Sequence, residues 1–321
     1  MTTTPDPTDL SAAGQAVFVE SSGHDNPDAA LVPENQNKDR SRSQLADIWR
    51  RFRRNKLALV GLVFVGLLIV IAVLQPLISP YDPYDQNLSN VLASPGGDHL
   101  FGTDALGRDL FSEMLYGLRL ALIVGIATML GSMIVGVALG ALAGYRGRFS
   151  DSLIMRTTDI FLAFPFLIGA ILVVRTFGSG ITQVIIALVV LGWPTAARLM
   201  RGQILALRES EYVEAARSIG ASDWRIVIRH IMPNAIQPVF IYSFTSIGVA
   251  VVAMASLAYL GVGVPPDTPE WGRLINMGIE QVQVAGKDYL WAYPSGAIVL
   301  TTLAFAFVAD GLRDSLDPKL R

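Results

Sequence analysis

Residues Leu57–Ile78 read LALVGLVFVGLLIVIAVLQPLI, a run without one charged side chain. A helix of that length, rising 1.5 Å per residue, crosses a hydrocarbon core of about 30 Å. The apolar residues are continuous rather than alternating, so inside lipid the segment satisfies its backbone only as a helix. Composition agrees: 52% of the 321 residues are hydrophobic and 16% are charged, less charge than a soluble surface of this size needs.

Five further apolar segments follow, at Arg119–Ala143, Leu153–Thr176, Ile181–Arg201, Ala235–Val262 and Leu290–Leu312. Each is long enough to span, which predicts an all-α polytopic membrane protein with six transmembrane helices. Arginine sets the orientation. Basic side chains crowd the segment before the first helix and recur at Arg146 and Arg148, through the 201–234 loop, and at Arg313, Lys319 and Arg321. The 81–109 loop instead carries five aspartates against Arg108 alone. Basic loops stay inside, so both termini are expected to be cytoplasmic.

Upstream of the first helix, Leu45, Ile48, Trp49 and Phe52 recur at helical spacing among Arg50, Arg51, Arg53, Arg54 and Lys56. This predicts a basic amphipathic helix over 45–56, lying at the headgroups. It serves either as a positive stop for the next helix or as a contact for a partner. Residues 1–44 are too polar to offset their ordering entropy and are expected to form a disordered cytoplasmic tail. The expected organisation continues with the first transmembrane helix and its external loop (57–112). A five-helix core (113–312) and a cytoplasmic C-terminus (313–321) complete it.

Cysteine is absent, which removes disulfides and thiolate metal sites, and His24, His99 and His230 have no zinc-site spacing. A net charge of −2 does not suggest nucleic acid. Gly286-Lys287 is followed by Asp288 and lacks the upstream glycine of a phosphate-binding loop. No catalytic, cofactor or metal site is expected in this chain.

In the second span Ser132, Gly136, Gly140 and Gly144 repeat every four residues, a small-residue stripe for close helix approach. Its partner is another helix of this chain or a second membrane subunit. Pro165 is expected to bend or loosen the third span, and Arg156 and Asp159 are spaced to pair along it.

The loop between the fourth and fifth spans is charged yet regular. Tyr212, Ala215, Ala216 and Ile219 are expected on one helical face, with Glu211, Glu214 and Arg217 polar. Gly220 can end that helix in a left-handed conformation, and Ser222 or Asp223 can cap a second one. Trp224, Ile228 and Ile231 then share a side, and Pro233 is expected to end the element. Two short helices meeting at a bend suit a docking knob, although a solvated hairpin without a partner has the same pattern. On the other side, Phe101-Gly102-Thr103-Asp104-Ala105-Leu106-Gly107-Arg108-Asp109 reads as a turn-rich external loop in which Asp104 and Arg108 form an exposed pair. Trp271 and Trp291 read as interfacial anchors.

Glu214-Ala215-Ala216, with Gly220 four residues on and Pro233 thirteen further, resembles the EAA loop of ABC importer permeases. His230 and Met232 depart from its broad consensus, but Arg229-His230-Ile231-Met232-Pro233-Asn234 resembles the form typical of the peptide-importer branch. The 101–109 stretch resembles the signature after the first helix of the C-type permease of dipeptide, oligopeptide and nickel importers. Asp310–Pro318 and Trp49–Leu59 also match that subfamily. The resemblance implies a type I ABC importer permease fold in the cytoplasmic (inner) membrane. It implies that Tyr212, Glu214, Ala215, Ala216, Gly220, Ala221, Asp223, Trp224, Arg225 and Pro233 belong to a coupling loop seated in a groove of an ATP-binding subunit. Gly102, Thr103, Asp104, Gly107, Arg108 and Asp109 would help present the surface for an extracytoplasmic substrate-binding protein. The implied partners are a second, related permease and two ATP-binding subunits or one fused chain, which hold the ATP and Mg. The implied cargo is di- or oligopeptides; nickel, haem and glutathione-like solutes are alternatives. An ion-coupled secondary transporter is disfavoured because the span centres are nearly free of charge and show no inverted repeat.

Overall fold

The computed structural model describes residues 46–281 and 286–316. The expected tail 1–44 and residues 317–321, with the Asp317-Pro318 end of the C-terminal motif, lie outside them. Among the described residues every regular element is helical. Helix α1 covers 46–52, shorter than the expected 45–56, because Asn55 already caps the next helix by accepting from the Ala58 N–H at 3.1 Å. Phe52 is buried beside Ala58 and Gly311 of the last helix, so α1 is pinned to the bundle at that point.

Helix α2 (Lys56–Ile78) is followed by an irregular loop and by α3 (Leu110–Arg146), whose 37 residues begin well before the expected Arg119. Asp109 starts α3 by accepting from the Ser112 N–H at 2.8 Å. Then come α4 (Arg148–Ala163), α5 (Phe166–Phe177), α6 (Ile181–Leu207) and α7 (Glu211–Ser218). A single turn, α8 (Asp223–Arg225), leads through a π-helical segment (Ile226–Ile231) into α9 (Met232–Tyr259). Helices α10 (Trp271–Glu280) and α11 (Tyr289–Leu316) complete the described chain. Among the described residues five helices are long and apolar enough to cross a membrane: α2, α3, α6, the continuous Asp223–Tyr259 rod and α11.

The expected third span is the α4–α5 pair, and it is broken rather than loosened: the two helices meet at 96°. Phe164, preceding Pro165, is extended at φ −83° and ψ 133°, as the proline ring requires. The elbow leaves Phe164, Phe166, Leu167 and Ile168 exposed. Asp159 does not pair with Arg156; its carboxylate accepts from Arg198 on α6 at 2.5 Å. Once the span folds back on α6, a cation there lies closer than one a turn away on the same helix.

Helices α3 and α6 form the most extensive helix pair. The small-residue stripe is the reason. A β-carbon on Gly136 would sit 2.9 Å from the Trp193 carbonyl, and one on Gly144 would sit 2.8 Å from the Ile204 Cβ. Gly140 lies against Ala197 and Met200, and Ser132 faces Gly192. The stripe is thus seated within this chain, along α6.

Candidate functional site

Two regions gather the singled-out residues, one at each end of the bundle. The first is the segment from Leu207 to Pro233. Glu211 and Glu214 stand in the first turn of α7 and Arg217 in its last, each complementing the helix dipole. Ser210 does not cap α7; its hydroxyl donates to the Leu207 carbonyl at 2.6 Å. The helix stops at Gly220, which takes φ +81°. The Ala221 N–H bonds the Ala216 carbonyl at 3.1 Å and the Gly220 N–H bonds that of Arg217 at 3.0 Å, the paired bonds of a Schellman motif. A β-carbon on Gly220 would meet nothing within 4 Å. Within this chain it is therefore the backbone angle that calls for glycine.

The expected face of α7 splits. Val213 and Ala216 turn inward and pack with Ile226 and Ile231 in one buried cluster, Ala216 being only 5% exposed. Tyr212, Ala215 and Ile219 turn outward, and Trp224 joins them across the corner; Ile219 is 85% and Trp224 75% exposed. Ala216 is therefore an internal packing residue, whereas Ala215 belongs to an open apolar surface. Glu214 and Arg225 are exposed around it. Asp223 is held by Tyr145 of α3, whose hydroxyl donates to it at 2.6 Å.

Pro233 does not end the element. The Met232 N–H bonds the Val227 carbonyl, five residues back, and the widened π turn lets the chain enter α9 without a break. Pro233 thus stands inside the continuous helix, and the widened turn before it makes room for a ring that would clash in a regular α-helical turn. α7 stays docked on this rod through Val213 and Ala216.

The second region is the loop from Asn87 to Asp109. Thr103 and Asp109 face each other in an isolated antiparallel bridge. The Asp104 carboxylate accepts from the Leu106 and Arg108 N–H groups, both at 2.8 Å, and does not pair with the Arg108 guanidinium. Neither is exposed, Arg108 being 2% accessible, which corrects the expected surface ion pair. Arg108 reaches instead across the fold, donating to the Asp267 carbonyl at 3.1 Å and lying 3.9 Å from the buried Glu113 carboxylate. Burial raises the Asp104 pKa above the usual carboxylate range. Gly107 takes φ +71°, and a β-carbon there would overlap the Asn87 carbonyl. Gly102 packs as closely beneath Ala93 and Tyr289, and the Thr103 hydroxyl accepts from the Ala93 N–H at 2.8 Å. The Asp109 carboxylate also meets His99 Nδ1 at 2.9 Å.

Two neighbours of this loop, Glu270 and Glu113, escaped the reading of the sequence, and a third, Trp271, was read otherwise. Glu270 accepts from the Arg273 N–H at 3.1 Å and caps α10, and its burial pushes its pKa up to about 7. Trp271 is no interfacial anchor: it is buried against Gly117, and its indole N–H donates to the Met114 carbonyl at 3.1 Å. Glu113 lies in the first turn of α3, close to Arg108. A Pro-rich approach to α10 was the available signal; the Met114 partner of Trp271 stands 157 residues away in sequence.

Residues 136–321 match the family described as binding-protein-dependent transport system inner membrane component, and 43–95 match the N-terminal TM domain of oligopeptide transport permease C. The glutathione transport system permease protein GsiD of Pectobacterium atrosepticum is 41% identical, over 88% of this chain and 94% of the relative. GsiD of Escherichia coli O157:H7 is 43% identical over 88% and 93%. The dipeptide transport system permease protein DppC of Alkalihalophilus pseudofirmus is 38% identical over 86% and 90%. Among solved structures, a chain of the MetNI methionine ABC transporter in an inward facing conformation shares the fold at a TM-score of 0.50 and 18% identity. The match covers 64% of this chain and 97% of that one.

Proposed function

The chain belongs to the inner membrane components of binding-protein-dependent transport systems, the permeases of ABC importers, and on that premise we propose that it carries short peptides, glutathione-like tripeptides included. Dipeptides and glutathione share a compact, zwitterionic, amide-linked backbone, so one pathway chemistry suits both. The α4–α5 pair counts as one span, giving six, and the arginine-rich 201–234 loop and both termini lie on the cytoplasmic side. A second, related permease completes the pathway. ATP and Mg are held by two ATP-binding subunits or one fused chain, and a binding protein delivers cargo to the opposite face.

One observation carries the coupling role: the apolar surface of Tyr212, Ala215, Ile219 and Trp224, open at the tip of a rigid corner. Large aromatic and aliphatic side chains held outward together mark a protein contact. ATP binding would draw this corner with its partner subunit, and the Asp223–Tyr259 rod would pass that movement into the membrane. Each ligand shifts the inward–outward equilibrium only by its differential affinity for the two states.

The test is affinity purification of the tagged chain from its native membrane, followed by ATPase assay with and without peptides. A peptide-stimulated activity, accompanied by a second permease and a nucleotide-binding chain, is the expected result. A chain that purifies alone and moves solute in liposomes without ATP would overturn the assignment in favour of an ion-coupled carrier.

A further inference from the structure

Between α3 and the beginning of the 223–259 rod lies a groove of about 750 Å³. It runs from Met133 to Arg146 along α3 and from Ile236 to Asp223 along the rod. Its polarity is graded. The polar side chains lining it, Tyr145, Arg146 and Asp223, stand at one end, and the remaining lining is aliphatic, methionine or tryptophan. Asp223 is occupied by the Tyr145 hydroxyl. Arg146 makes no ion pair among the described residues, nor do the exposed Arg148, Arg225 and Arg229 nearby in sequence.

The length of the groove identifies its occupant. Thirteen residues of helix separate Met133 from Arg146, about 20 Å at 1.5 Å per residue, a headgroup level plus one leaflet of a bilayer core of about 30 Å. The concavity itself closes at Met133 and Ile236, and at its polar end Arg146 is a charged lining group without an ion-pair partner among the described residues, which suits an anionic headgroup. A segment of a soluble partner would reach only the rim. We propose that the groove binds an anionic phospholipid, its acyl chain laid along Met133–Leu142 and its phosphate at Arg146. Tyr145 at the polar end suits the level where amphipathic aromatic rings meet headgroups, and Arg146 beside it supplies the charge complement. The lipid is thereby wedged between α3 and the rod that carries the coupling corner. The inference rests on the permease reading, which puts this corner on the cytoplasmic side.

The test uses the purified importer complex in nanodiscs containing phosphatidylglycerol, phosphatidylcholine, or an equal mixture. A phosphatidylglycerol with a diazirine on its acyl chain is the probe, and labelled residues are mapped by mass spectrometry. Labelling should fall on the groove faces of α3 and the rod, and unlabelled phosphatidylglycerol should displace it about fivefold better than phosphatidylcholine, as one well-placed cation dictates. Ala138→Trp, which fills the groove from an exposed position, should remove the label; Arg146→Gln should erase the headgroup preference while keeping the acyl-chain label. Equal labelling of wild type and Ala138→Trp, labelling outside the groove, or no preference between the lipids would overturn the proposal. The same preparations report separately on the permease reading, because co-purifying ATPase and its peptide stimulation do not depend on where the lipid label falls.

Discussion

The two ends of the bundle use the same residue types in opposite ways. At the 87–109 end Asp104, Arg108 and Asp109 are buried, and most of their oxygens and nitrogens are met by the chain's own backbone and side chains, with Asp104 Oδ2 and Arg108 Nε left without a hydrogen-bond partner. At the 207–233 end Glu214, Arg217 and Arg225 are exposed, and so are Tyr212, Ile219 and Trp224. One end keeps its charges inside and engages them largely with its own chain. The other keeps apolar surface in water, at a cost of ~25 cal/mol per Å², and is complete only when something covers it. Glycine makes the contrast plain. Gly107 is squeezed against Asn87 and tolerates no β-carbon, whereas Gly220 meets nothing of its own chain and takes a left-handed φ.

The contrast can be broken most forcefully at Arg108. Arg108→Ala leaves the Glu113 carboxylate buried without its cation, a loss of about 3–5 kcal/mol. Membrane abundance and thermal stability in detergent should collapse; a variant as stable as wild type would show that the loop is not self-supporting in the way described. Next comes pH. Glu270 titrates near 7 in the folded chain against about 4.5 when exposed, so the folded state holds the extra proton between those values. Stability should therefore fall as pH rises from about 4.5 to about 7, by on the order of 3 kcal/mol, and level off above. Glu270→Gln, which can still accept from the Arg273 N–H, should flatten that profile in thermal scans from pH 4.5 to 8.

Adjacent alanines sharpen the comparison within the open end. Ala216→Trp forces a ring into the cluster of Val213, Ile226 and Ile231 and should cost about 1–3 kcal/mol. Ala215→Trp points into solvent and should change stability by less than about 0.5 kcal/mol while abolishing ATP-driven uptake. Normal uptake by Ala215→Trp at normal abundance would refute the docking surface. The smallest effect belongs to the exposed Asp159–Arg198 pair, where Arg198→Gln should cost about 0–1 kcal/mol.

Much of the fold was legible because lipid imposes a simple rule on backbone polarity, and continuous runs such as Leu57–Ile78 obey it. The start of α3 was not, since Ser112, Glu113 and Arg119 dilute the apolar pattern of its first turns, and the first two are buried against the 104–109 stretch just before them. Pro233 misled because a π turn absorbs the proline that would ordinarily end a helix. The site was legible as a motif but not as a surface. Periodicity put Ala215 and Ala216 together, and only the return of Ile226 and Ile231 beyond the Gly220 corner decides which of them faces inward.

The widened turn before Pro233 also has a mechanical meaning. Because Asp223–Tyr259 is one uninterrupted helix of 37 residues, about 55 Å along its path, it would serve as a lever arm in the proposed coupling. A tilt of about 5° imposed at Trp224 displaces the far end by about 5 Å, the scale of one helical turn. A break at Pro233 would have dissipated that stroke in the first few residues.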